Sequence, residues 1–354
     1  MEDETAWATL LAYARNEMFS GVRNIDDLKS KRKLYLNQIN ALTAMPESFA
    51  QMTMLQSLSI TSCRNLARLP ESLGQLTTLS RLALSSCNAL TALPESLVQL
   101  PALTKLIISH CPALQGVVNM LGRLTALTDL SIMHFDSLDV FPGSLSQLTA
   151  LTVLNLGGCR LLTELPESLG LMVALKMLDF GLCCALSRLP ESLGCLQSLE
   201  SLSLFNCTAL TGLPESLGRL EALEILHLSG CSTLTRLPDS LGQLSRLKKF
   251  LLGGCYALGC LPISFLDLPH CSVYDDCGLF NMWFPPYHYT MRGMAASKAY
   301  MLAHHVPFKI LVLVLVARRN KMSFLPGEVI ASMPTLEQSR PPAAGFNHSE
   351  FPSL

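Results

Sequence analysis

Charge is scarce in this 354-residue chain: 15% of its residues are charged, and 26 basic against 27 acidic side chains leave a net charge of −1. That balance gives no electrostatic reason to expect nucleic acid or an acidic membrane surface as a partner. Aromatic residues make up only 6%, with two tryptophans. No stretch approaches the ~18 uninterrupted apolar residues of a membrane span; the longest, ILVLVLVA from Ile310 to Ala317, has eight. The opening MEDETAWATLLAYARNEMF is acidic and lacks the basic start and apolar run of a secretory signal. A cytoplasmic, reducing setting is therefore the expectation, and the 13 cysteines are read first as thiols. Also missing are the phosphate-cradling G-x-x-x-x-G-K-[ST], the G-x-S-x-G elbow and H-E-x-x-H, so neither an enzyme nor a cofactor is expected.

What is abundant is periodicity. One series of prolines preceded by an apolar residue stands at 46, 70, 94, 142, 166, 190, 214, 238 and 262, every interval being 24 or, once, 48. At the gap, VVNM (Val117 to Met120) replaces LPES. Leucines 55, 79, 103, 127, 151, 175, 199, 223 and 247 each begin LxxLxL, with Ile or Phe at single positions. Eight residues after each comes a cysteine, at 63, 87, 111, 159, 183, 207, 231 and 255, except where Phe135 stands instead.

The consensus L-x-x-L-x-L-x-x-C-x-x-L-x-x-L-P-E-S-L-G-x-L-x-x can be read physically. Leucines two apart, such as Leu154 and Leu156, make a short strand with one face buried. Proline suits the first position of a short helical or 3₁₀ turn, and the glycine of ESLG can end that turn and permit a tight return. Roughly seven large apolar residues per unit, worth about 2 kcal/mol each when buried, do not cover ~1 kcal/mol for each ordered residue. A lone unit therefore does not fold, and parallel stacking at ~4.8 Å per strand is obligatory.

With nine copies in register, the pattern resembles the leucine-rich repeat family from Lys31 to Leu268. Its GCxxLxxLPESLG flavour is similar to the intracellular repeats of plant and algal disease-resistance proteins and of Ras-pathway scaffold proteins. The resemblance implies an α/β solenoid, a horseshoe with a parallel β-sheet on the concave face and short helical or 3₁₀ turns on the convex face. Three segments are expected: an N-terminal helical cap at 1–30, about ten 24-residue units at 31–268, and a C-terminal cap with a partly disordered tail at 269–354. Trp7, Leu10, Leu11, Ala14 and Met18 at helical spacing mark Thr5 to Phe19 as the capping helix. Leu34, Leu36, Ile39, Leu42 and Met45 keep the phase in a first, atypical unit. Downstream the phase asks for leucines at 271, 274 and 276 but meets Cys271, Tyr274 and Asp276, so the repeats are expected to end near Leu268. Disease-resistance receptors join such repeats to a nucleotide-binding switch, whose motif this chain lacks.

The repeated cysteine invites a metal, disulfide or reactive-thiol reading, set against a buried small residue where the family usually has asparagine. Cysteines 24 apart lie in a row along the solenoid and do not converge on a metal. Neighbouring rungs come within disulfide distance, but the side chains run parallel. Buried thiols are also poor nucleophiles, so the structural reading is preferred and no metal is expected. Cys184 and Cys195 are read as incidental, and His270, Cys271, Cys277 and His288 as a capping segment rather than a zinc site. His304 and His305 read as a solvated helix end, and Asn206-Cys207-Thr208 and Asn347-His348-Ser349 as chance glycosylation triplets.

Binding is expected on the outward positions of the strands. The candidates for contact with a protein partner are Arg81, Lys105, His110, Asp129, Met133, His134, Asn155, Asp179, Phe205, His227 and Lys249, with Ser57, Ser59, Ile107 and Leu251 on the same face. No small-molecule ligand is expected. The irregular unit from Val117 to Phe141 reads either as repeat decay, with phenylalanines refilling the core, or as a partner site where His110, Met133 and His134 meet. In the tail, Leu325, Pro326, Glu328, Val329 and Ile330 resemble the start of an F-box, which implies as an alternative function a substrate-recognition adaptor for a ubiquitin ligase.

Overall fold

The computed structural model describes residues 2–16, 22–258, 262, 264, 268, 271–274 and 288–290. The chain divides into two compact units, Met1–Ala295 and Ala296–Leu354, and all described residues belong to the first. Met18, His270, Cys277, Trp283, the apolar run at 310–317, His304 and His305, the F-box-like segment and the Asn347 triplet lie outside the described residues.

Twelve strands form one sheet in strict sequence order. The first five have five residues each: β1 (Lys33–Asn37), β2 (Ser57–Thr61), β3 (Arg81–Ser85), β4 (Lys105–Ser109) and β5 (Asp129–Met133). The next five have three each: β6 (Val153–Asn155), β7 (Met177–Asp179), β8 (Ser201–Ser203), β9 (Ile225–His227) and β10 (Lys249–Leu251). Each pairs in parallel with its successor at an offset of 24, as in Leu58↔Leu82 and Leu202↔Leu226. Beyond Leu268 the sheet gains β11 (Ser272–Tyr274), parallel to β10 but offset by 23, and β12 (His288–Thr290), antiparallel to β11. Opposite the sheet, 3₁₀ turns such as Glu71–Gln75 and Glu191–Cys195 recur, and α3 (Val117–Leu121) takes their place in the unit that lacks LPES. This is the leucine-rich repeat solenoid, with the sheet on the concave face.

The repeated apolar positions make the core: Leu82, Leu84, Leu90 and Leu97 are 0% exposed, and nearly all their counterparts are buried. Phe135 and Phe141 are buried as well, so in the irregular unit aromatic rings fill the space left by Cys and Leu. Between turns, a carboxylate in one LPES segment holds the backbone of the next. Glu71 accepts from the amides of Glu95 and Ser96, and Glu167, Glu191 and Glu215 accept from those of Ser192, Ser216 and Ser240.

At the N-terminal end, α1 (Glu2–Asn16) performs this duty for the first turn: Asp3 accepts from the amides of Glu47 and Ser48 at 2.6 and 3.0 Å. Trp7, Leu10 and Ala14 of α1 are buried, and the Tyr13 hydroxyl accepts from the Asn37 amide on edge strand β1. After it, α2 (Ile25–Lys29) starts with a capping box between Asn24 and Asp27.

The glycine of ESLG has another role from the one its position suggests. It adopts no left-handed conformation. Instead the next turn passes over it: a Cβ on Gly194 would lie 2.5 Å from the Ser216 carbonyl oxygen, and one on Gly122 2.5 Å from that of Ser144. Left-handed backbone occurs elsewhere, at Gly116 before α3 and at the residue before each repeated cysteine or its substitute: Gln38, Ser62, Ser86, His110, His134, Gly158, Leu182, Asn206, Gly230 and Gly254.

The eleven cysteines among the described residues form no disulfide with one another. In the ladder, every thiol but that of Cys111, which reaches the Ser109 carbonyl, reaches a carbonyl 27 residues earlier on the neighbouring rung, as Cys207 does to Phe180 at 3.2 Å and Cys231 to Leu204 at 3.1 Å. The thiol thus gives a buried backbone acceptor a partner from the neighbouring rung. Burial pushes the Cys159 thiol up to about 11 and those of Cys183 and Cys231 up to about 12, from an ordinary value of 9.0. In the unfolded chain these thiols ionise from about pH 9, whereas in the folded protein they keep their protons until pH 11 to 12. Their contribution is therefore complete below pH 9 and is lost as pH rises through the folded values. Urea midpoints measured between about pH 8 and pH 11 are expected to fall, and to fall less in a variant with Cys159, Cys183 and Cys231 changed to alanine. Equal slopes in the two proteins would contradict this account.

Candidate functional site

The strand pleat sends Leu106, Ile108 and their equivalents inward and leaves three columns of side chains outward. The first column runs Lys33, Ser57, Arg81, Lys105, Asp129, Val153, Met177, Ser201, Ile225, Lys249. Lys105 and Asp129 sit on adjacent strands and form an ion pair at 3.0 Å, with the Thr128 hydroxyl also donating to Asp129. Arg81 stands beside Lys105 in register, exposed. Lys249 is at the far end, next to Ile225.

In the second column, Asn155 and Asp179 turn part of their polar capacity back onto the backbone: each side-chain oxygen accepts from the amide two residues on, of Gly157 and Gly181, at 2.8 Å. These are local Asx braces that tighten the chain as the shorter strands end. His227 lies in the same column and meets Phe205, its ring centroid 5.1 Å away. Phe205 is 36% exposed and has Gly181 beside it, so the ring stands over low ground.

His110 and His134 occupy the left-handed row, with φ of 51° and 53°. Their rings stack at 4.1 Å with an interplanar angle of 26°, and His134 covers Gly158, where a Cβ would collide with its ring. Burial and the neighbouring His110 hold the His134 imidazole below its ordinary value. Met133 precedes His134 at the end of β5. The structure thus brings nine of the eleven candidates into three groups: Arg81, Lys105 and Asp129; His110, Met133 and His134; and Asp179, Phe205 and His227. Asn155 is next to Asp179 in register, and Lys249 stands apart.

Sequence reasoning passed over Lys33, Tyr35 and Met177 on this face. Tyr35 and Met177 are each 51% exposed. Their phase relative to Arg81 and Ser59 was the available signal, weakened for Lys33 and Tyr35 because the first unit lacks the repeated cysteine. Among the described residues, no group of three His, Cys, Asp or Glu side chains could hold a metal, and no helix is long and apolar enough to cross a membrane.

Comparison with known proteins adds the following. No curated protein matches the chain by sequence. Among solved structures it is similar to the leucine-rich repeat domain of the type III effector XopL, at 26% identity over 77% of this chain and 89% of that one, with a TM-score of 0.48. It is similar to an internalin, InlF, from Listeria monocytogenes at 15% identity over 77% and 88%, with a TM-score of 0.44. It is also similar to the Arabidopsis receptor kinase HAESA, solved with a peptide hormone and a co-receptor, at 21% identity over 75% and 50%, with a TM-score of 0.43; the chain thus spans about half of that solved chain. Residues 150–172 and 222–244, two units in the same phase, match the family model described as Leucine Rich Repeat, and with the parallel strand order they identify the fold as a leucine-rich repeat solenoid.

Proposed function

We propose that this chain is a non-enzymatic protein-binding module that holds its partner on the concave face. Leucine-rich repeat domains commonly serve protein–protein interaction. The observation that carries the reading is the exposure of Phe205 and Met177, large apolar groups on the outward side of a sheet whose inward leucines are buried. Exposed aromatic and methionine side chains are favoured anchors at protein interfaces. The GCxxLxxLPESLG pattern supports a setting in intracellular signalling or defence recognition.

The full chain and a variant carrying Phe205→Ala and Met177→Ala can be compared as baits, with mass spectrometry of retained proteins. Recovery of the specific partner is expected to drop by about tenfold or more, while Leu171→Ala, an exposed apolar residue in a 3₁₀ turn, leaves it unchanged. Undiminished recovery with the double variant would move the interface off this face.

A further inference from the structure

The basic end of the concave face offers a formed place for a ligand. Lys33, Ser57 and Arg81 are register partners on β1, β2 and β3, which sets the two cations' backbones about 10 Å apart with a hydroxyl between them. Tyr35, Gln56, Ser59 and Ser80 complete a hollow of about 330 Å³, a size at the lower end of small-ligand sites. Of the other cations of the face and its margin, Lys105 is paired with Asp129, Lys176 with Glu200 and Lys248 with Glu224, while Lys249 stands exposed at the far end of the sheet. Lys33 and Arg81 are exposed and meet no acidic side chain among the described residues. Nor does any acidic residue occur in β1 to β4, whose outward positions are otherwise filled mainly by hydroxyl and amide side chains.

We infer that this hollow receives an oxyanion on the protein partner, a phosphoryl group carried by a phosphorylated side chain. A phosphomonoester brings close to two negative charges and three strong acceptor oxygens. Two cations match the charge, and the hydroxyls of Ser57, Ser59 and Tyr35 among the lining residues supply further donors. A carboxylate is satisfied by Arg81 alone in a bidentate pair and leaves Lys33 without a counterpart. The inference rests on the concave-face reading and adds the chemistry that one end of that face selects.

The test uses the full chain and three fluorescent peptides of one sequence that differ at a single residue: phosphoserine, glutamate or serine. Anisotropy titrations at low salt are expected to rank phosphoserine first. Lys33→Ala with Arg81→Ala is expected to weaken that binding by about tenfold or more, whereas Arg219→Ala, an exposed cation in a 3₁₀ turn off this face, leaves it unchanged. Unaltered far-ultraviolet circular dichroism verifies the fold of each variant. Equal binding of the glutamate peptide overturns the phosphoryl assignment. Equal binding of the serine peptide, or an equal loss with Arg219→Ala, overturns the site. A partner retained by the Lys33/Arg81 variant but lost with Phe205→Ala also overturns the site and leaves the protein-binding reading standing.

Discussion

Gly194→Ala is expected to destabilise the solenoid by about 3 kcal/mol, close to the upper end for overpacking a filled site. The added Cβ would sit 2.5 Å from the Ser216 carbonyl oxygen and 2.7 Å from its Cβ. Neither atom is free to move. Ser216 is part of the 3₁₀ turn Glu215–Arg219, its amide is held by Glu191, and Leu217 donates to Pro214 at 3.1 Å. Relief requires the two units to separate, and in a solenoid the contact between neighbours carries most of the stability. Gly212→Ala is the control: it has open space around it and no positive φ, so the change is expected to stay within ~0.5 kcal/mol. Urea denaturation of the two variants beside the parent decides the matter, and similar midpoints for both would show that the turns yield.

Trp7→Ala is expected to cost a similar 3 to 4 kcal/mol, but at one end of the array. The indole is 5% exposed, packs on Phe49 with centroids 6.0 Å apart, and donates from Nε1 to the Ser48 hydroxyl at 2.8 Å. Its removal opens the core beneath α1 and frees the edge of β1, which α1 engages through Tyr13. Hydrogen exchange is expected to quicken first in β1 and β2 while β8 and β9 keep their protection. Uniform acceleration along all strands would mean that α1 supports the whole array rather than its first rungs.

The units were legible in the sequence because the same physical problem is solved at each turn of the chain, and Leu, Pro and Cys recur wherever the answer admits one residue. What stayed hidden depends on contacts between units. Gly194 has meaning only once the Ser216 turn lies over it; Val98 occupies the corresponding place in the turn before α3, where Met120 replaces the serine. The left-handed row was visible at Gly158, Gly230 and Gly254, but Ser86, His110, Leu182 and Asn206 adopt the same conformation and masked it. The outward face was readable by phase alone, so Arg81, Asp129 and Phe205 were found, whereas Lys33 and Tyr35 fell in a unit whose phase markers are incomplete. That Asn155 and Asp179 brace their own turns follows from chain direction after the strand, which no periodicity records.

The thiol ladder also limits how such a chain can change length. Thiol to carbonyl spans 27 residues, carboxylate to amide 25, and strand to strand 24, each contact repeating along the array. If residues 171–194 were removed, Cys207 would find the Leu156 carbonyl, Glu167 would meet the Ser216 amide, and Asn155 would pair with Ser203. Removing 23 residues instead slips every later strand by one and turns its leucines outward. Insertions and deletions in the repeats are thus quantised, tolerated in whole units and ruinous in fractions; the count slips only at β11, where the repeat itself stops.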